Sequence, residues 1–257
     1  MSDSQDSSVA FLDSMPEIAP DTPFRFRCHP GVACFNRCCS ELSLMLTPYD
    51  VLRLRHGLHD MGSDAFLKQH ARVGMAPDTG FPGLHLNMAD APGAPCPFVT
   101  DAGCSVYGNR PSACRTYPIG RATRYDENGA LVEQFFAIRE PHCLGFNEDA
   151  DWTTATWATD QGLDEYNRFN DRYVALLHRH QGRPPLAPRQ ATMALLALYQ
   201  SDTFQTFIAN THMFSRLTVA EADQQAILAD EERCLDFALD WVELVLYGDC
   251  PRLAMKE

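Results

Sequence analysis

Apolar residues recur at helical spacing through the C-terminal part of the chain, whereas in the front part they are broken up by Gly and Pro. Ile227, Leu228, Cys234, Leu235, Ala238, Trp241, Val242 and Val245 repeat at three- and four-residue intervals, the pattern of a helix with one buried face. Similar periodicity predicts helices over 151–180, 188–212 and 219–247. The run Gln181-Gly182-Arg183-Pro184-Pro185 breaks the first from the second, because Pro cannot continue a helix and Gly weakens it.

In the front part, Thr47-Pro48-Tyr49-Asp50 reads as a helix start: a hydroxyl N-cap, a Pro at the first helical position and an acid near the positive end of the dipole. Val51, Leu52, Leu54 and Leu58 supply its apolar face, and 63–73 reads as a second short helix. From 74 to 121 the chain is punctuated by Pro77, Gly80, Pro82, Gly83, Pro92, Gly93, Pro95, Pro97, Pro111 and Pro118, which excludes long helices there. Arg121–Tyr125 and Leu131–Ile138, joined by Glu127-Asn128-Gly129, form the strongest strand signal, a β-hairpin. The expected fold is therefore mainly α, with a loop-rich cysteine region, a small β-hairpin and a helical C-terminal half. The expected organisation is a leader over 1–21, a cysteine-rich metal-binding region over 22–147 and a helical region over 148–257 packed on it.

Charge narrows the partners. A net charge of −13 and a pI near 5.0, without a run of Lys or Arg, repel phosphate backbones and anionic lipid, so neither nucleic acid nor a membrane is expected. The longest apolar stretches, 194–199 and 242–247, fall short of the roughly 20 residues that span a bilayer. The leader is rich in Ser and Asp and lacks a basic start and an apolar core, unlike a secretory signal. The expected location is the cytoplasm, where thiols stay reduced and disulfides are rare.

The chemistry lies in the cysteines. Of ten, eight fall in the front part: Cys28-x5-Cys34-x3-Cys38-Cys39, then Cys96-x7-Cys104-x9-Cys114, and Cys143. Thiolates are soft ligands suited to zinc, Cu(I) and iron–sulfur clusters, and so many collected thiols without a metal are open to oxidation. On an α-helical turn Cys34 and Cys38 would share a face while Cys39 points about 100° away, so the two adjacent cysteines need not serve one metal. The spacing admits two four-thiolate sites, one such site with structural remainders, or a single larger cluster. Cys234, on an apolar helix face, and Cys250, alone near the end, read as small buried hydrophobes.

Arg110 and Arg115 flank Cys114 and could offset thiolate charge; Arg115 is the stronger candidate for contact with the bound group. His29 and His142 adjoin candidate ligands and could replace a thiolate. The acidic stretch Asp149, Asp151, Asp160, Asp164 and Glu165 lacks calcium-loop spacing and reads as a solvated face. Trp152, Trp157, Tyr166, Phe169 and Tyr173 form an aromatic row that builds core or shields a metal. No G-x-S-x-G, H-E-x-x-H or phosphate-loop sequence occurs.

Cys28…Cys34…Cys38-Cys39, followed by Cys-Pro-Phe at 96–98, Gly-Cys-Ser-Val-Tyr at 103–107 and Arg-Pro-x-x-Cys-Arg-x-Tyr-Pro at 110–118, resembles the YkgJ-type cysteine-cluster family. That resemblance, covering about 24–145, implies a zinc- or iron-chelating CxxCxxCC domain. The wider first spacing, with Phe26-Arg27 ahead of it, is similar to the flagellin lysine N-methylase branch, which implies protein lysine methylation as one class of activity. The leading expectation is an iron–sulfur protein. Cys28, Cys34, Cys38, Cys39, Cys96, Cys104, Cys114 and Cys143 would hold one or two clusters, 4Fe–4S before other types, for electron transfer, redox sensing or metal handling with a redox partner protein. A structural zinc interaction module is the second class.

Overall fold

The computed structural model describes residues 17–126 and 128–256. The first sixteen residues of the expected leader, and Glu127 in the expected hairpin turn, lie outside the described residues. Along the chain run β1 (Phe24–Arg25), β2 (Met45–Leu46), α1 (Pro48–Gly57), α2 (Ser63–His70), β3 (Ala71–Met75), β4 (Pro82–Leu86), β5 (Val99–Thr100) and β6 (Gly103–Cys104). Then follow α3 (Ser112–Thr116), β7 (Ile119–Tyr125), β8 (Leu131–Ala137), β9 (Asp151–Trp152), α4 (Thr154–Asp160), α5 (Asp164–His180), α6 (Pro188–Tyr199), α7 (Ser201–Asn210), α8 (Glu221–Ala229) and α9 (Glu231–Tyr247). The fold is mainly α with a few short hairpins. No helix among the described residues is long and apolar enough to cross a membrane.

Each of the three long helices expected from periodicity is two helices, and local backbone chemistry makes the break. Gly162, at φ +58°, takes the left-handed conformation between α4 and α5. Gln200 leaves helical angles between α6 and α7. Asp230 is extended between α8 and α9, and its carboxylate accepts the Arg233 N–H at 3.0 Å as an N-cap. A break that keeps both apolar faces on one core leaves the periodicity intact, so periodicity alone hides it. The second short helix ends at His70, and its expected last turn is instead the start of β3.

The helix start at Thr47 is a capping box: Thr47 Oγ1 accepts from Asp50 N at 3.2 Å, and Asp50 Oδ2 accepts from Thr47 N at 3.0 Å. β7 and β8 pair antiparallel, with Arg121 opposite Phe135 and Tyr125 opposite Leu131. Asp126 shapes their turn, its Oδ1 accepting from Asn128 N and Ala130 N. The sheet β2-β4-β3 is more regular structure than the Gly and Pro content of 74–121 suggested. Pro82 opens β4, where a missing N–H is tolerated.

The chain forms two compact units, and they do not follow its halves: 17–42 joins 88–168, and 43–87 joins 169–256. In the second unit α9 packs against α1, α6, α7 and α8, burying Cys234, Leu235, Ala238, Leu239 and Val242. Residues 43–87 belong there because Leu46, Leu52, Leu54, Phe66 and Leu84 have buried apolar side chains that a loop-rich partner could not cover. In the first unit, Phe26, Ile119 and Trp157 make a small core against which Phe24, Tyr117, Phe135, Cys143, Phe146 and Trp152 pack. Three of the five residues of the expected aromatic row, Trp152, Trp157 and Tyr166, lie in this unit; Phe169 and Tyr173 belong to the second unit.

Candidate metal centre

All eight front cysteines fall in the first unit, and all are free thiols. Strand β1 carries the chain to Cys28. Phe26 N donates to Ala150 O at 2.9 Å and Arg27 N to Gly145 O at 3.0 Å, which lays this segment beside the turn that follows Cys143. The approach is close: a Cβ on Gly145 would stand 2.7 Å from Phe26 Cε2 and 3.0 Å from Arg27 O. Replacing Gly145 with Ala must therefore shift the Phe26–Arg27 segment or this turn, at about 1–3 kcal/mol. The expected outcome is a lower denaturation midpoint together with weaker retention of metal against a chelator; unchanged retention would refute the role given to this turn.

From His29 to Cys39 the chain forms successive three-residue turns, Val32 N to His29 O, Phe35 N to Val32 O, Arg37 N to Cys34 O and Cys39 N to Asn36 O. Asn36 is left-handed at φ 68°, so Cys34 to Cys39 is not an α-helical turn and Cys34 and Cys38 do not share a face for that reason. Cys34 is buried, and its Sγ accepts the Leu144 N–H at 3.2 Å. Asn36 Nδ2 donates to Thr100 O at 2.8 Å, and a Cβ on Gly103, itself at φ +117°, would meet the Phe35 ring at 3.1 Å. These contacts seat the first cysteine group on the β5–β6 hairpin. Cys96 N donates to Cys39 O at 2.7 Å, Ser40 pairs with Pro95, and Cys104 faces Val99 across the hairpin. Cys114 lies in α3, which Trp157 fixes by donating from Nε1 to Thr116 O at 2.9 Å.

The electrostatics show which thiols sense one another. Desolvation of its sulfur, and then the charges of Cys38, Cys34 and Cys143, push Cys28 up to about 11 although the residue as a whole is exposed. A hydrogen bond with the Cys39 thiol brings Cys38 down to about 7. The same bond, followed by burial and the charges of Cys38, Cys96 and Cys114, raises Cys39. Burial raises Cys96, opposed by the backbone N–H groups of Phe98 and Val99, while Cys104 adds to the rise. Like-charge crowding of this kind is what a bound cation relieves.

Around the sulfurs, Tyr117 has a buried hydroxyl without a hydrogen-bond partner of good geometry. Burial raises its pKa, with the Cys143 thiol as the next cause. Its signal in the sequence was its place in the Arg-Pro-x-x-Cys-Arg-x-Tyr-Pro run at 110–118. Arg115 donates to Gln161 O at 2.5 Å and Gly108 O at 2.6 Å and lies over the Tyr166 ring, which ties α3 to α4 and α5. Arg110, 8% exposed, has Cys104 and Cys114 among its charged neighbours and is held by Tyr107 O at 2.6 Å and by the Gln161 side chain. His29 is engaged by Glu148 Oε2 at 3.1 Å and Gly31 N at 3.1 Å. His142 has a buried Nε2 without a partner.

Among the described residues, three ligand atoms within 4.8 Å of one another occur at Asp240, Glu243 and Cys250 and not among the front cysteines. That trio is already neutralised by arginines: Asp240 holds Arg172 and Arg252, and Glu243 holds Arg179. Cys234 is fully buried and donates toward Ser201 O at 3.7 Å, as a small hydrophobe would. Asp149 and Asp151 of the acidic stretch pair with Arg25.

Residues 27–144 match the family model CxxCxxCC, described as "Putative zinc- or iron-chelating domain". This span contains all eight front cysteines, and zinc or iron chelation is the function the match supports. No curated protein and no solved structure matches the chain.

Proposed function

We propose that the zinc- or iron-chelating domain of this chain holds iron, as iron–sulfur clusters ligated by Cys28, Cys34, Cys38, Cys39, Cys96, Cys104, Cys114 and Cys143. The observation that carries the reading is the spread of the sulfurs. A single tetrahedral zinc, with Zn–S near 2.3 Å, draws its sulfurs to about 3.8 Å apart. These thiols are electrostatic neighbours, yet among the described residues no three of them lie within 4.8 Å of one another. In an iron–sulfur cluster the thiolates bind different irons and stand farther apart.

The donor set fits such a group in kind as well. It is all sulfur, it includes a sulfur that accepts a backbone N–H, and aromatic rings pack beside Cys143. N–H donation to sulfur and exclusion of water both tune a cluster's potential. When bound, an iron–sulfur cluster supplies reversible one-electron chemistry, which suits electron transfer or redox sensing with a protein partner in a reducing cytoplasm. The zinc reading keeps one specific support: β1, β5, β6 and β9 are two residues long, and a structural ion stabilises segments too short to hold themselves.

Elemental analysis of protein purified without oxygen separates the two. Expected is brown protein absorbing near roughly 400 nm with about four irons and matching sulfide per cluster. Colourless protein with stoichiometric zinc would replace iron by zinc, and protein free of both metals would overturn metal binding itself.

A further inference from the structure

We propose that the eight cysteines make two adjacent four-sulfur centres, Cys28, Cys34, Cys38 and Cys143 in one and Cys39, Cys96, Cys104 and Cys114 in the other, with the Cys38–Cys39 peptide as their boundary. The proposal rests on the reading of these cysteines as metal ligands and adds their number of sites and their sharing.

The routes of the chain separate the sulfurs in this way. Arg27 N to Gly145 O sets the residue before Cys28 against the turn after Cys143, and Leu144 N to Cys34 Sγ at 3.2 Å brings Cys34 to the same turn. Tyr117, whose neighbours are the Cys143 and Cys38 thiols, adds Cys38. On the other side, Cys96 N to Cys39 O at 2.7 Å and the Ser40–Pro95 pairing join Cys39 to Cys96. Ser105 N to Phe98 O at 2.9 Å and the Val99–Cys104 pairing fold Cys104 back over Cys96. Arg110, wedged between Tyr107 and Gln161, has Cys104 and Cys114 as neighbours.

The neighbours of the sulfurs divide along the same line. Cys34, Cys38 and Cys143 lie near Cys28; Cys96 and Cys114 lie near Cys39; Cys104 lies near Cys96. The coupling that crosses the line joins Cys38 to Cys39, in the three-residue turn Arg37–Cys39. Their two thiols are in hydrogen-bond contact there, so the centres lie side by side and each takes one of the two adjacent sulfurs. Four thiolates complete the ligand set of a structural zinc or of a cubane or two-iron cluster. Eight therefore complete two sets. The second centre alone has a buried arginine among its named neighbours, which gives the two unequal charge and hence distinguishable properties.

The test is the metal content of the full chain, purified without oxygen, for the unsubstituted protein and for Cys28→Ser and Cys114→Ser, two positions exposed at the surface. Expected is metal for two centres in the unsubstituted protein, and about half of it in each variant, with the two remaining halves differing in their metal–sulfur spectra. Circular dichroism of each variant reports whether it folded. A folded variant that loses all its metal would overturn the partition, as would spectra that are the same in both variants. The unsubstituted protein decides independently of the variants. Metal for one centre overturns the partition while sparing the metal-binding reading, and no metal overturns both.

Discussion

Removing the metal is expected to release the amides of 27–42, 95–117 and 143–147 to hydrogen exchange by at least about a hundredfold, roughly 2.8 kcal/mol, while those of 43–87 and 169–256 keep most of their protection. The cysteine-bearing segments of the first unit have little regular structure to hold them without ligation. Its strands β1, β5, β6 and β9 are two residues each, below the size at which a hairpin is stable alone. One small buried cluster in this unit comprises Phe26, Ile119 and Trp157. Structural zinc in small domains supplies about 10–16 kcal/mol of apparent binding energy, which is folding energy where no site exists in the unfolded chain. The second unit has Leu46, Leu54, Phe66, Leu84, Ala197, Leu198, Phe204, Ile208 and Leu235 in a core of its own. Exchange measured by mass spectrometry before and after anaerobic chelation checks this. Uniform loss of protection over both units, or no change in either, would refute it.

Replacing Arg55 with Met should cost about 3–5 kcal/mol, the range for removing one partner from a buried ion pair. Arg55 is 2% exposed, and its guanidinium is nearly saturated. It donates to Met61 O at 2.8 Å, Ser201 Oγ at 3.0 Å and Glu231 Oε2 at 2.6 Å, and pairs with Asp202 at 3.1 Å. Met preserves the stem's packing, so the loss measures the stranded carboxylate of Glu231 together with the Ser201 hydroxyl that donates to it. Adding Glu231→Leu should restore part of the loss, because the pair then vanishes as a whole. Denaturant midpoints of the single and double variants carry the comparison. A single-variant loss below about 1 kcal/mol would show that the network is too well hydrated for the buried-pair argument.

Local signals were legible where a few neighbouring residues decide the outcome. Thr47-Pro48-Tyr49-Asp50 announced its helix because the capping box is made within four residues, and Asn128-Gly129 announced the β7–β8 turn, which the Asp126 carboxylate then shapes. Gly162, Gln200 and Asp230 were harder, since each interrupts a helix without interrupting its apolar stripe. The sheet β2-β4-β3 escaped because Pro82 and Gly83 read as loop residues until Ala71–Met75 pairs with them. At the site, the residue types named sulfur ligation, whereas the emphasis on Arg115 over Arg110 followed adjacency to Cys114 in the chain. In the fold Arg115 donates to Gln161 O and Gly108 O, and Arg110 has Cys104 and Cys114 among its neighbours.

By itself the sequence determined the chemistry: eight soft donors in a loop-rich segment, an acidic surface, and a helical remainder with one apolar face per helix. Only the tertiary structure decided which of those donors are neighbours, since Cys34 meets Leu144 and Cys39 meets Cys96 across chain separations that carry no periodic signal. It also decided that residues 43–87 leave the cysteine segment for the C-terminal helices. The physical reason is the same in both cases. Ligand identity belongs to a side chain, but proximity between distant segments is settled by burying apolar surface and pairing backbone groups over the whole chain.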